Sequence, residues 1–580
     1  MCGFCGVTGA TPLEEAEVDW VREATGLLAH RGPDDEGRYT GEGVALGFRR
    51  LAIVDPSEAG HQPMMSADGR YRMVYNGEIY NAPRLAAELT AKGVELRSSS
   101  DSEVLLELFA LYGPACLDRV RGMFAFAVWD AEERTLFAAR DPFGIKPFYY
   151  RLDGTSLRFA SEKKALVRPG AHGPVDPESV RRFLSLQYVP GPGTMSPRIR
   201  VLPPGHQLSY GPDGELRVRR YHSHVFRPAA AARPDTGRRI REALEDSVAA
   251  HLRSDVPVGS FLSGGVDSAV VCALAATHDS SLQTFTVGFG REGYSEIEHA
   301  VATADALGVK SNPYFISAEE FATRLPEILA QFDEPFADAA AVALWFLARE
   351  ARKQVKVVLS GEGADELFGG YHVYRGTGAG YLGADLVYEP SELALVTPLT
   401  GGSADELAAP LRERARKAGW DPVTLRQSVD LALWLPGDIL TKADRMTMAH
   451  GLELRVPFLD REVLAAAETL AYSEKISPDT TKSALREAVA DLVPPEVARR
   501  PKLGFPVPIR FWLRDELYDF AEAVLTEAEI GDYLHRDTAL TMLRDYRRGD
   551  DFDWRRLWVL VCFAVWHRIH VEGVDPRRFG

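Results

Sequence analysis

Phe261-Leu262-Ser263-Gly264-Gly265-Val266-Asp267-Ser268 is the stretch on which the reading of the chain turns. Val258 to Leu262 is short and mostly apolar, which reads as a buried strand, and Ala269 to Ala276 (AVVCALAA) reads as a packed helix. A glycine turn between them lets consecutive backbone N–H groups converge, and the start of the helix adds partial positive charge, so the stretch is a candidate phosphate cradle. Asp267 is placed to hold Mg2+ against phosphate oxygens, with Ser263 and Ser268 as hydrogen-bond donors. No Gly-Lys-Ser/Thr follows, so this is not a P-loop, and the glycine spacing is not that of a dinucleotide turn. On turn chemistry alone, a plain strand-to-helix connection accounts for these residues equally well. The rest of the chain has to decide.

With 580 residues the chain exceeds one core, and at roughly 150 residues per domain two large domains are expected. Lys+Arg 67 against Asp+Glu 83 gives a net charge of -16, which disfavours nucleic acid and anionic membrane surfaces and favours small-molecule substrates. The five cysteines, Cys2, Cys5, Cys116, Cys272 and Cys562, show no paired zinc-type spacing. A reduced, cytoplasmic setting is the simplest expectation. The N-terminus has neither a basic n-region nor an apolar h-region, and apolar runs such as Leu557 to Trp566 are too short to span a membrane.

Residues 1–210 read as strand-rich, with short apolar segments at Met73–Tyr75, Met123–Trp129 and Thr135–Ala139 and one helix-like segment, Glu103 to Tyr112. This predicts an α+β layered domain. A Pro- and Gly-rich passage, Val189 to Gly205, precedes a polar stretch, and residues 211–236 are expected to be linker. Over residues 237–580 helices alternate with short apolar strands at Gly259–Leu262, Thr284–Phe289 and Val355–Leu359, the pattern of a parallel sheet with helices on both faces. Beyond Leu425 the pattern is helical, and no further strand is expected.

Cys2 gains meaning if Met1 is removed. It then carries a thiol and a free α-amino group, titrating near ~7.7–8.0, that can act as base for its own side chain. An attacking thiolate needs oxyanion donors, each worth roughly 3 kcal/mol in acyl transfer. Asn76-Gly77, just after Met73–Tyr75, offers an amide and an unhindered N–H, although Asn-Gly is equally the dipeptide of a hairpin turn.

Around it stand Arg31-Gly32-Pro33-Asp34-Asp35, Arg50-Leu51-Ala52-Ile53-Val54-Asp55, Asn76-Gly77-Glu78-Ile79-Tyr80-Asn81, Ser100-Asp101-Ser102-Glu103 and Gly144-Ile145-Lys146-Pro147. From Cys2 to about residue 210 this resembles the class II glutamine amidotransferase domain of asparagine synthetases. The resemblance implies an N-terminal-nucleophile hydrolase fold, an αββα sandwich, in which Cys2 attacks the side-chain amide of glutamine and releases ammonia. On the matching positions it makes Asn76 and Gly77 the oxyanion hole, sets Arg50 on the glutamine α-carboxylate and Glu78 and Asp101 on its α-amino group, and lines the site with Leu51, Ile53 and Val54. The chemistry agrees: Arg clasps a carboxylate through parallel hydrogen bonds, whereas an ammonium needs acidic acceptors.

In the second half, Val358 to Glu366 (VLSGEGADE) is another strand running into a glycine-rich acidic loop, and two such loops at neighbouring strand ends would face one crevice. With Asp333-Glu334-Pro335-Phe336-Ala337-Asp338, Asp444-Arg445-Met446 and Arg455-Val456-Pro457-Phe458-Leu459-Asp460, these motifs resemble the synthetase domain of the same family. The resemblance thus covers nearly the whole chain. It implies an α/β ATP-pyrophosphatase domain with a parallel sheet and a helical C-terminal part, in which a carboxylate attacks the α-phosphate of ATP and ammonia then displaces AMP. Leu262, Val287, Ser360 and Gly361 would bind the nucleotide, Ser263, Gly264, Gly265, Asp267 and Ser268 the pyrophosphate, and Asp267 and Asp365 the Mg2+. Glu362 would take a proton from the attacking ammonia, and Lys502 would offset phosphate charge, with Lys442 and Lys482 as further cations.

The expectation is a glutamine-dependent synthetase acting on glutamine, ATP and aspartate, with no nucleic-acid or membrane partner and, by analogy with the family, a homodimer. The same chemistry on another carboxylate, in a peptide-like metabolite or polymer, is the nearest alternative. An ATP-dependent cyclase with a vestigial glutaminase fits less well, because Cys2, Arg50, Asn76 and Asp101 are all present.

Overall fold

Alternation of apolar and polar residues over the first 220 residues builds two six-stranded antiparallel sheets. The first runs in the order β10-β8-β9-β1-β3-β2, from β1 (Gly3–Gly9), β2 (Asp35–Gly41), β3 (Val44–Arg50), β8 (Tyr149–Asp153), β9 (Ser156–Ala160) and β10 (Arg200–Val201). The second runs β12-β11-β7-β6-β5-β4, from β4 (Met64–Met65), β5 (Tyr71–Ile79), β6 (Gly122–Asp130), β7 (Thr135–Arg140), β11 (His206–Tyr210) and β12 (Leu216–Arg220). Their inner faces share one core, in which Phe4, Leu46, Phe48 and Phe159 meet Val74, Ala125, Ala127 and Ala138. Helix α1 (Glu15–Leu27) covers the outside of the first sheet through Val21 and Ala24, while α2 (Ala82–Ala91) and α3 (Asp101–Tyr112) cover the second through Leu85, Leu89, Leu105 and Leu108. The result is the αββα sandwich. The computed structural model describes residues 2–376, 382–383, 386–402, 404–501, 504 and 506–579.

Two expectations for this half need correction. One helix was expected, but α1, α2 and α4 (Pro177–Leu186) accompany α3. In α1 only Val21, Ala24 and Thr25 are buried, so its apolar stripe is too narrow to stand out among acidic residues. The stretch from 211 was expected to be linker, yet β12 pairs with β11 from Leu216↔Tyr210 to Arg220↔His206. It is an edge strand whose three arginines mask its apolar alternation.

The second half is organised on a five-stranded parallel sheet, β15-β14-β13-β16-β17, from β13 (Val258–Phe261), β14 (Gln283–Phe289), β15 (Lys310–Ile316), β16 (Val357–Leu359) and β17 (Glu453–Arg455). The chain moves outward from β13 to β15 and returns to β16 on the other side of β13. The strand order therefore reverses between β13 and β16, which opens a crevice beyond their C-terminal ends. Helix α5 (Thr236–His251) precedes this sheet, and α6 (Val266–His278) starts five residues after β13 ends. Strand β17 overturns the expectation that nothing beyond Leu425 is extended. It is only Glu-Leu-Arg, fully buried, with Arg455 Nε 2.6 Å from Glu453 Oε1, so no apolar run marks it in the sequence.

A buried ion cluster joins the halves. Arg31 donates to both oxygens of Asp444, at 2.7 and 3.0 Å, and to Glu162 at 2.8 Å; Arg445 bridges Glu162 and Asp333, each at 2.8 Å. Arg31 is fully buried, so removing Asp444 leaves two buried arginines sharing Glu162 and a cluster short of one negative charge. Asp444→Ala is expected to cost roughly 3–5 kcal/mol of stability, seen as a lower melting temperature by calorimetry.

Candidate active sites

Strand β1 begins at Gly3, which sets Cys2 at its mouth beside the end of β5, where Asn76-Gly77-Glu78 lie. A small cavity of about 30 Å3 is lined by Cys2, Arg50, Leu51, Ile53, Val54, Gly77, Glu78 and Asp101, with Tyr75, Gln62 and Glu453 completing the wall. The positions expected around glutamine thus converge. Asn76 is fully buried beside them; its Oδ1 accepts the Cys2 N–H at 2.9 Å, while its Nδ2 has no hydrogen-bond partner among the described residues. At Gly77 a Cβ would fall 2.2 Å from the Met123 carbonyl oxygen, so only glycine fits.

Burial pushes the Cys2 thiol pKa up, with the Leu51 backbone and the Arg50 charge pulling the other way. Arg50 is held by its own loop, donating to the Ser57 carbonyl at 2.7 Å and to that of Asp55. Asp101 accepts from the Tyr75 hydroxyl at 2.6 Å and the Ile79 N–H at 2.9 Å, and burial raises its pKa. Burial and the Asp101 charge push the Glu78 pKa up, against the pull of Arg455 and Arg253. Those two arginines come from the other half, at 3.2 and 3.3 Å.

The second site fills the crevice between β13 and β16, a cavity of about 350 Å3 lined by Leu262, Ser263, Asp267, Ser268, Val287, Ser360, Gly361, Glu362 and Asp365. Gly264 and Gly265 shape the turn without lining the cavity. The two serine hydroxyls lie 3.0 Å apart, and each also holds the turn itself: Ser268 Oγ accepts the Ser263 N–H at 3.1 Å, and Ser263 Oγ that of Gly265 at 3.2 Å. At Gly361 a Cβ would sit 2.9 Å from Asp267, so glycine lets the two loops touch. Lys442 pairs with Asp338 on the cavity wall, and burial is outweighed there by the Asp338 and Asp438 carboxylates, which raise the lysine pKa. Lys502 lies outside the described residues.

Asp267 and Asp365 both reach Lys482 Nζ at 2.6 Å, and this ammonium is buried between them. Asp267 Oδ1 is buried without a hydrogen-bond partner among the described residues. Within the same residues no group of three or more His, Cys, Asp or Glu could hold a metal alone. Two carboxylates already gathered on one cation fit Mg2+, which takes one or two carboxylates and completes its shell with phosphate oxygens and water.

Nothing in the sequence places Glu453 on the Cys2 cavity or Arg253 and Arg455 against Glu78, because nothing local marks a contact across the halves. Glu366 is a further residue of the crevice to which the motifs give no role. It lines the crevice, accepts from Tyr371 at 2.6 Å, and is pushed up to about 7 by burial and the Asp365 charge. Its signal was present in the acidic loop that supplied Glu362 and Asp365.

Comparison with known proteins agrees with this two-site layout. Residues 1–222 match the glutamine amidotransferase domain model, and residues 239–568 the asparagine synthase model. The chain is 38% identical to glutamine-hydrolysing asparagine synthetase 1 of Bacillus subtilis, over 99% of this chain and 97% of that protein. It is 32% identical to asparagine synthetase 3 of the same organism, over 87% of each. A more distant relative, the amidase chry2 of Gibberella zeae, is 28% identical over 97% of this chain and 96% of its own length. The two family models cover nearly the whole chain, one over the half with the Cys2 cavity and the other over the half with the β13–β16 crevice, and with the full-length kinship to the Bacillus subtilis enzymes they mean that the chain belongs to the glutamine-hydrolysing asparagine synthetase family.

Proposed function

We propose that the protein makes asparagine from aspartate, with glutamine as nitrogen donor and ATP as the source of activation. The observation that carries this reading is the convergence of Cys2, Arg50, Gly77, Glu78 and Asp101 on one cavity, with Asn76 hydrogen-bonded to Cys2 behind it, in a chain whose other cavity gathers Ser263, Asp267, Ser268, Ser360 and Glu362. The amidotransferase unit then comprises residues 1–220, and the synthetase unit residues 237–580.

With Met1 removed, the Cys2 amine takes the proton of its own thiol, and Sγ attacks the amide carbon of glutamine. Asn76 Nδ2 and the Gly77 N–H receive the oxyanion, and ammonia leaves as the thioester forms. In the crevice the aspartate side-chain carboxylate attacks the α-phosphate of ATP. Pyrophosphate departs against the backbone of the Ser263–Ser268 turn. Mg2+, held by Asp267 and Asp365, would neutralise charge on the phosphates. Ammonia adds to the acyl-adenylate, Glu362 accepts the surplus proton, and AMP is expelled. Ammonia in bulk water is mostly protonated, and the buried joint around Arg31 and Asp444 suits a transfer shielded from it. The free, buried cysteines suit a reduced, cytoplasmic setting.

An acceptor screen by pyrophosphate release tests the reading. Aspartate is expected to give pyrophosphate and AMP in equal amounts. Silence with aspartate and release with another carboxylate would move the chain to a different amidation.

A further inference from the structure

We propose that Arg455 is a positioning residue shared by the two active sites, through which nucleotide bound at Ser360 sets the affinity for glutamine at Glu78. This deepens the two-site reading above and rests on it.

Arg455 ends β17 and is fully buried. Its backbone meets the crevice wall: in the parallel pairing Leu359 lies beside Arg455, and the Arg455 carbonyl accepts the N–H of Ser360 at 2.9 Å. Ser360 is the first residue of the loop that walls the crevice. The side chain of Arg455 faces the other way. Nη2 reaches Glu78 Oε2 at 3.2 Å, Nε reaches Glu453 Oε1 at 2.6 Å, and Nη1 donates to the carbonyls of His251 and Arg253, both at 2.6 Å. Every nitrogen of the fork is engaged, so the guanidinium cannot move independently of its backbone.

Glu78 and Glu453 both line the glutamine cavity. Among the described residues, the two cations that pair with Glu78 are Arg455 and Arg253, both from the synthetase unit. The carboxylate that would meet the glutamine ammonium is therefore oriented from the other unit. One residue spans the gap: a backbone hydrogen bond at one site, an ion pair at the other, and no flexible loop between. A shift of Ser360 on nucleotide binding is passed to Arg455 and so to Glu78. By linkage, glutamine must alter nucleotide affinity by the same factor.

Arg253 provides the control. It touches Glu78 at 3.3 Å and the Ser99 carbonyl at 3.0 Å, but its backbone N–H donates to the Ala250 carbonyl, and Ser360 donates to Arg455 instead. It supports Glu78 without reporting on the nucleotide.

The test measures the KM for glutamine by glutamate formation, with and without saturating ATP and in the absence of aspartate, for the full-length wild type, Arg455→Lys and Arg253→Met. ATP is expected to shift the wild-type KM by about fivefold or more, the usual lower range of allosteric coupling. Arg455→Lys keeps the charge but loses the fork; its KM should rise about tenfold, the equivalent of one charge-assisted hydrogen bond, and ignore ATP. Arg253→Met should raise the KM yet retain the ATP-dependent shift. Three results overturn the proposal: an ATP-insensitive wild type, an Arg455→Lys enzyme that still responds to ATP, or an Arg253→Met enzyme that does not. An ATP-insensitive wild type overturns the proposal whether or not Arg455→Lys folds. A wild type that makes no glutamate defeats the two-site reading itself, whereas one that makes glutamate with an ATP-insensitive KM defeats only the coupling.

Discussion

Cys2→Ala is expected to lower glutamine-dependent asparagine formation by roughly 10^4-fold or more, the scale seen when a covalent nucleophile is removed. Synthesis from ammonium should persist. The asymmetry follows from the two linings: Cys2 walls the small cavity, whereas the crevice is walled only by residues from Phe261 onward. Without Sγ no thioester forms, and Asn76 Nδ2 has no oxyanion to receive. Asparagine is measured with glutamine or with ammonium chloride as nitrogen source. Loss of both activities in a folded variant would refute the division into two sites.

Glu362→Gln should lower synthesis from either nitrogen source by roughly 10^2–10^4-fold, the range of a general base, and leave glutamate formation intact. The glutamine side chain keeps the shape but cannot accept the proton of the adding ammonia. Because that proton is lost after adenylation, a single-turnover burst of pyrophosphate should survive. Glu366→Gln is the companion measurement, since Glu366 lines the same crevice and its carboxyl is pushed up to about 7. If Glu362→Gln turns over normally and Glu366→Gln does not, the base is Glu366.

What could be read from the sequence was what is local. Strands β13, β14 and β16 are short apolar runs bounded by turn residues, and each was expected within a few residues of its position. The glycine-rich loops after β13 and β16 announced the crevice because the turn and the acidic residues are contiguous in the chain. Strands β12, β15 and β17 were hidden by their charges or polar residues: three arginines in β12, a polar KSN start in β15, and a paired Glu and Arg in β17. Contacts between the halves left no trace, because their partners lie far apart in sequence. Arg455 follows Glu78 by 377 positions, and neither residue's neighbours predict the pairing.

The buried pair between Arg31 and Asp444 also constrains how the chain is made. Arg31 Nε donates to the Cys2 carbonyl at 3.1 Å, and one of its two carboxylate partners, Asp444, lies 413 positions downstream. At about 5–20 residues per second, a ribosome needs roughly 20–80 s to travel that distance. Until then the emerging first unit lacks the partners of Arg31 and Glu78 that the later sequence supplies. The glutamine pocket is therefore completed last, once the translated chain includes the machinery that consumes its ammonia.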